Sequence, residues 1–103
     1  MADGTAADPP VFTVLEARVP RDQWVRLTET YRSALGKLPP QMLQTFLTQS
    51  ADDPARWWGV SVWRSRAALE EYRRSVETPR GVLMFRSVGA EPTLSLWTVA
   101  ASG

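Results

Sequence analysis

Apolar positions along the chain switch between two spacings, and the switches divide it into alternating strands and helices. Val11 to Arg18 is β-branched and aromatic enough for a first strand. After Pro20, residues Trp24, Leu27, Thr28, Tyr31, Ala34 and Leu35 recur at three- and four-residue spacing, the period of a helix packed along one side. Gly36 and Pro39-Pro40 supply its stop. Met42 to Gln49 reads as a second strand, Asp52-Asp53-Pro54 as a turn, and Arg56 to Arg64 as a third strand, so the pair resembles a hairpin with a long loop. Ser65 is an N-cap for a helix running to about Glu77, with Ala68, Leu69, Tyr72 and Val76 on one face. The opposite face carries Arg66, Glu70, Arg73, Arg74 and Glu77, where Glu70–Arg74 and Arg73–Glu77 have the spacing of surface ion pairs. Pro79 ends this helix. Gly81 to Val88 is one further helical turn carrying Met84 and Phe85, and Thr93 to Ala100 is a fourth strand. The order β-α-β-β-α-β predicts an α+β, ferredoxin-like domain: an antiparallel four-stranded sheet with two helices on one face.

The strands do not alternate apolar and polar, as a sheet with one wet face should. Strand three gives Trp58, Val60 and Val62 to one face and Trp57, Gly59, Ser61 and Trp63 to the other. Strand four gives Leu94 and Leu96 against Trp97 and Val99; strand two gives Leu43 and Leu47 against Met42 and Phe46. Two helices cover one face only. The other would be a large apolar patch of the kind that marks an interface, which predicts a homodimer packed sheet to sheet.

Composition narrows the chemistry. The chain has 103 residues, 44% apolar and 22% charged, which suits one globular domain. It has no cysteine and no histidine, so thiolate nucleophiles, Ser-His-Asp triads, imidazole-ligated metals and histidine-ligated haem cannot be built from it. A net charge of +1 gives no polyanion-binding character by itself. Five tryptophans are many for this length, and each can bury ~150–250 Å². Residues 1–10 are small, acidic and end in Pro9-Pro10; lacking the basic start and apolar run of a signal peptide, they read as a disordered tail of a cytoplasmic protein. Residues 11–100 form the domain and 101–103 a frayed end. No apolar run approaches the ~20 residues of a membrane span.

Trp57-Trp58-Gly59-Val60-Ser61-Val62-Trp63-Arg64-Ser65 is a strand ending in Trp-x-Ser at the start of a helix, followed by Leu69-Glu70-Glu71-Tyr72, Ser75 to Pro79, a short apolar turn and a last strand. This pattern, over roughly residues 11 to 100, resembles the antibiotic-biosynthesis monooxygenase (ABM) family of dimeric α/β barrels. The resemblance implies a dimer of ferredoxin-like subunits, each with an apolar cavity between sheet and helices. It also implies oxidation of a flat aromatic polyketide or quinol by molecular oxygen with no metal or flavin cofactor. An electron-rich phenolate passes an electron to oxygen directly, so the protein supplies an apolar slot, hydrogen bonds and water exclusion. Trp63 matches the family's strand tryptophan. The polyketide-oxidising members carry an asparagine four residues earlier and a tyrosine six residues later; Gly59 and Leu69 stand there. The haem-cleaving branch needs a histidine ligand, and the chain has none.

The expected site therefore comprises Trp63 as a stacking wall, Tyr72 as a phenol one helical turn from the family's tyrosine position, and Arg86 as anion stabiliser, with Arg80 as its alternative. Trp24, Phe46, Trp57, Gly59, Leu69, Met84, Phe85 and Trp97 are expected to line the pocket. Each has a plainer reading: Trp63 and Tyr72 as core, the arginines as surface, Met84 and Phe85 as core filling. Glu16 is either a carboxylate of raised pKa acting as base or the partner of Arg18 or Arg64. Asp52-Asp53 is a turn and not a metal site.

Two other functions compete. One is a dimeric small-ligand binder of the same fold without catalysis. The other is an RNA-recognition module, whose third strand reads K/R-G-F/Y-G/A-F-V-x-F/Y. Arg56, Trp58, Gly59 and Trp63 match it, but Trp57 replaces its glycine and Val60 its second stacking ring. A sheet face buried between subunits has no room for bases, which makes nucleic acid the poorer partner and a small aromatic ligand the better one.

Overall fold

In a computed structural model describing residues 8–103, the strands are β1 (Val11–Arg18), β2 (Met42–Gln49), β3 (Arg56–Trp63) and β4 (Thr93–Thr98). They form one antiparallel sheet in the order β2-β3-β1-β4. Three helices, not two, join them: α1 (Trp24–Ala34), entered and left through single 3-10 turns, α2 (Arg66–Ser75) and α3 (Arg80–Ser87). The fold is ferredoxin-like, as the element order requires. Residues 1–7 of the expected tail lie outside the described residues; Pro10 is tied to the sheet, its carbonyl accepting from the Val99 N–H at 3.0 Å.

The segment after Pro79 is a full helix because both its ends are satisfied. Pro79 presets the entry, and the first free backbone donor, the Arg80 N–H, is met by the Tyr72 phenol oxygen at 3.0 Å. At the other end Gly89 sits at φ +79, with its N–H on the Arg86 carbonyl and the Ala90 N–H on the Phe85 carbonyl, which closes the last turn. Gly81 lets α3 approach the sheet; a Cβ there would stand 2.7 Å from the Leu15 Cδ1. For α2, the Ser65 hydroxyl accepts from the Ala68 N–H at 3.0 Å, the cap its sequence position implies.

The surface of α2 is wired differently from the expected four-residue pairs. Arg73 bonds Glu70 at 3.2 Å across three residues, since Glu77 falls beyond the helix end.

Strand β2 holds the largest departure from the sequence pattern. A register shift between Met42 and Gln44 leaves Leu43 as an extra residue, so Met42 pairs with Trp63 while Thr45 and Leu47 pair with Ser61 and Gly59. Met42, Thr45 and Leu47 therefore face the helices, and Phe46 faces away. The core on the helix side falls into two clusters. One gathers Leu15, Ala17, Val19, Leu27, Trp57, Phe85, Val88 and Ala90; the other Val11, Trp63, Leu69 and Tyr72. The opposite face is uncovered: Phe46, Trp58 and Trp97 are 42%, 41% and 54% exposed. Among the described residues no helix is long and apolar enough to cross a membrane.

Candidate functional site

Between the two core clusters the sheet and helices leave a cavity of about 100 Å³, walled by both. Its floor is the sheet, through Thr13, Leu15, Thr45, Leu47, Gly59, Ser61, Trp63 and Leu94; the three helices and the segment between α1 and β2 supply most of the remaining wall. The surface is overwhelmingly apolar. A largely apolar cavity of this order, open at a mouth, has the character of a site for a small aromatic ring.

The structure brings Trp63 and Tyr72 together. Both are almost fully buried, and their rings lie 4.9 Å apart at 35°. The Trp63 indole N–H donates to the Thr13 hydroxyl at 3.1 Å, so the ring is locked and offers a π face, not a donor. Tyr72 accepts from the Arg80 N–H, which leaves its own hydroxyl hydrogen to donate. Gly59, Leu69, Met84 and Phe85 also line the cavity.

Four expected lining residues and one expected catalytic group lie elsewhere. Trp24 and Trp57 pack on each other at 6.2 Å in the core cluster beyond the cavity, the Trp24 indole held by the Val19 carbonyl at 2.9 Å. Phe46 and Trp97 are on the uncovered face: Phe46 because the bulge at Leu43 reverses the strand's parity, Trp97 because it pairs with Phe12, on which it stacks at 6.3 Å. Arg86 points away from the cavity, its guanidinium fork gripping the Glu91 carboxylate at 2.9 and 3.0 Å. Arg80 is the arginine that reaches the cavity mouth, its guanidinium on the Lys37 carbonyl, and Arg73 lines the wall beside it. Glu16 is no raised-pKa base. Arg56, not Arg18 or Arg64, binds it through two bonds at 2.9 and 3.1 Å and the Trp58 indole adds a third, and together they hold its carboxyl below the usual range.

Sequence reasoning missed the polar row on the floor. Thr45 and Thr13 are the cross-strand partners of Ser61 on either side, so three hydroxyls cross β2, β3 and β1 in one line. The Tyr31 hydroxyl, from α1, is hydrogen-bonded to Thr45, and Thr45 and Ser61 are 3.1 Å apart. Burial pushes the Tyr31 phenol up, against the opposing effect of Thr45, so it stays protonated at neutral pH. No carboxylate is among the lining residues. Only the correct parity of β2 would have revealed this row, and the bulge hides it.

The profile of the family described as antibiotic biosynthesis monooxygenase matches residues 10–80. Solved structures with the same fold include SnoaB, a cofactor-independent oxygenase from Streptomyces nogalater (14% identity, 91% of this chain and 96% of that one, TM-score 0.64). A heme-degrading protein from Mycobacterium tuberculosis is similar at 17% identity over 93% and 97% of the two chains, TM-score 0.67. A conserved protein from Methanosarcina mazei Go1 gives 10% identity over 87% and 92%, TM-score 0.69. No curated protein sequence matches the chain.

Proposed function

The chain belongs to the antibiotic biosynthesis monooxygenase family, and from that premise we propose that it oxygenates a small aromatic compound of quinol or anthrone type in the cavity between sheet and helices, without a cofactor. The observation that carries this reading is the cavity itself: an apolar slot with the locked face of Trp63 for a wall and the Tyr72 hydroxyl beside it. For an anthrone the balance closes without an external reductant. The ring methylene loses two hydrogens and gains one oxygen atom, and the second oxygen atom leaves as water.

Deprotonation of the substrate precedes electron transfer, and the cavity walls carry no carboxylate to take the proton. The substrate then has to ionise through its own acidity, with Arg73 and Arg80 favouring the anion. Arg80 takes over the role expected of Arg86. A direct test is oxygen uptake with a dihydroxy-aromatic substrate. The expected result is uptake that follows the substrate's own ionisation, reduced at least tenfold by Trp63→Phe or Tyr72→Phe; uptake unchanged in both variants would refute these roles.

The same reading takes the protein as a homodimer joined through the uncovered sheet face. Phe46, Trp58 and Trp97 there are about half exposed, which leaves roughly 300 Å² of aromatic surface in water from these three alone. A second reading has its own support. Phe85 stands over Gly59, where a Cβ would meet its ring at 3.2 Å, so the asparagine of the polyketide-oxidising members would require the Phe85 ring to give way by a few tenths of an ångström. A binder of small aromatic compounds without oxygenation would show saturable binding and no oxygen uptake.

A further inference from the structure

Apart from Tyr72 and the arginines at its mouth, the cavity gathers its polar groups in one row on the floor, and the hydrogen count along that row decides what it can recognise. Thr45 has a single hydroxyl hydrogen, and of its three partners the Val60 backbone carbonyl, 3.0 Å away, is the one that can only accept, which assigns the hydrogen to it. Its bonds to Tyr31 and to Ser61 must then be ones that it accepts, so both of those hydroxyls spend their hydrogens on Thr45. What Tyr31 and Ser61 turn outward is lone pairs. Thr13, the third hydroxyl of the row, accepts from the Trp63 indole and keeps its own hydrogen to donate, so the acceptors of the row are Tyr31 and Ser61.

No polar group enters from Gly59, because Phe85 stands against it. Ser61 is the next helix-facing residue on the same strand, and Thr45 is paired with it in register.

We propose that Tyr31, Thr45 and Ser61 form the polar anchor of the cavity, accepting the hydrogen of an un-ionised hydroxyl on a flat aromatic ligand whose ring lies against Trp63. The inference rests on the ring-binding reading of the cavity above and narrows its ligand to a hydroxyarene. A dihydroxy compound is held by one neutral hydroxyl at this anchor while another oxygen ionises. An aryl methyl ether has no hydrogen to give, and its oxygen faces the outward lone pairs. One hydrogen bond of ordinary net strength corresponds to about a fivefold to tenfold preference.

Calorimetric titration of the full chain with 1-naphthol, 1-methoxynaphthalene and naphthalene tests this. The wild-type protein is expected to prefer 1-naphthol over 1-methoxynaphthalene about fivefold to tenfold. Tyr31→Phe and Ser61→Ala are each expected to lower that ratio, and the double variant to bring it to about one, with naphthalene still bound as a sign that the cavity persists. Each substitution also frees the space of one oxygen atom where the methyl group would sit, so the loss is read as well from 1-naphthol against naphthalene in the same variant, a comparison that carries no methyl group. A ratio that keeps its wild-type value in the double variant would overturn the anchor and leave the ring-binding reading standing, as would wild-type protein that binds all three compounds equally. Wild-type protein that binds none of them would overturn both.

Discussion

Replacing Tyr72 with phenylalanine removes one oxygen atom, and the structure says where the cost falls. That oxygen accepts the N–H of Arg80, the first residue of α3, at 3.0 Å, in a half-buried site with no side-chain cap on the helix. A donor left unpaired in such a place costs about 1–2 kcal/mol, which for a domain of this size lowers Tm by roughly 4–16 °C. The reasoning is separable from general damage to the core, because the same N–H can be deleted. Arg80 is the first helical position, where proline is well tolerated, and Pro79 at φ -56, ψ 142 already has the extended backbone that a following proline demands. Thermal unfolding of the wild type, Tyr72→Phe, Arg80→Pro and the double variant completes a cycle in which the lost Arg80 side chain cancels. Tyr72→Phe is expected to cost about 1–2 kcal/mol against Arg80 and under about 0.5 kcal/mol against proline. An equal cost in both backgrounds would refute the assignment, and with it the idea that Tyr72 fixes the α3 wall of the cavity.

Gly59→Asn is expected to lower stability by about 1–3 kcal/mol because its Cβ meets Phe85 at 3.2 Å in a packed site; a more stable variant in a thermal melt would show that Phe85 yields freely. Glu16, Asp53 and Glu91 all have carboxyl pKa values lowered chiefly by hydrogen bonds from Arg56, Arg18 and Arg86. Their contribution is present above the unfolded values near 4 and lost as pH falls through the lower folded values. With no histidine in the chain, Tm is expected to be flat between about pH 6 and 8 and to fall below about pH 4, less steeply at high salt; a transition near pH 6.5 would contradict this. Trp58→Lys together with Trp97→Lys places two charges on the uncovered face and is expected to turn a dimer at micromolar concentration into a monomer in sedimentation; a monomeric wild type would remove the sheet-to-sheet interface.

The fold was legible because its signals are local. The bounds of β1 and β2 follow from their apolar runs and Ser65 caps α2 as its chemistry requires, but α2 ends at Ser75, short of the expected Glu77, and Pro79 opens α3 instead of closing α2. The site was legible only where strand parity was unbroken: β3 puts Gly59, Ser61 and Trp63 on one side by simple alternation. In β2 the extra residue at Leu43 reverses every later position, which sent Phe46 to the wrong face and concealed Thr45. Trp97 was misplaced for a related reason, since its face is set by its pairing with Phe12 and not by its hydrophobicity. Arg86 and Arg80 are six residues apart around a helix whose extent depends on a cap from Tyr72 and a turn at Gly89, so spacing alone did not separate them.

The account stands on a ring-shaped guest lying between the sheet and the helices, and a crystal structure of the chain with 1-naphthol bound addresses that most directly. The ring is predicted against the face of Trp63, with the naphthol oxygen within 3.2 Å of Ser61 or Tyr31. Naphthol seated on the uncovered face beside Trp58 and Trp97, with Phe85 and Leu15 closed over an empty floor, would contradict it.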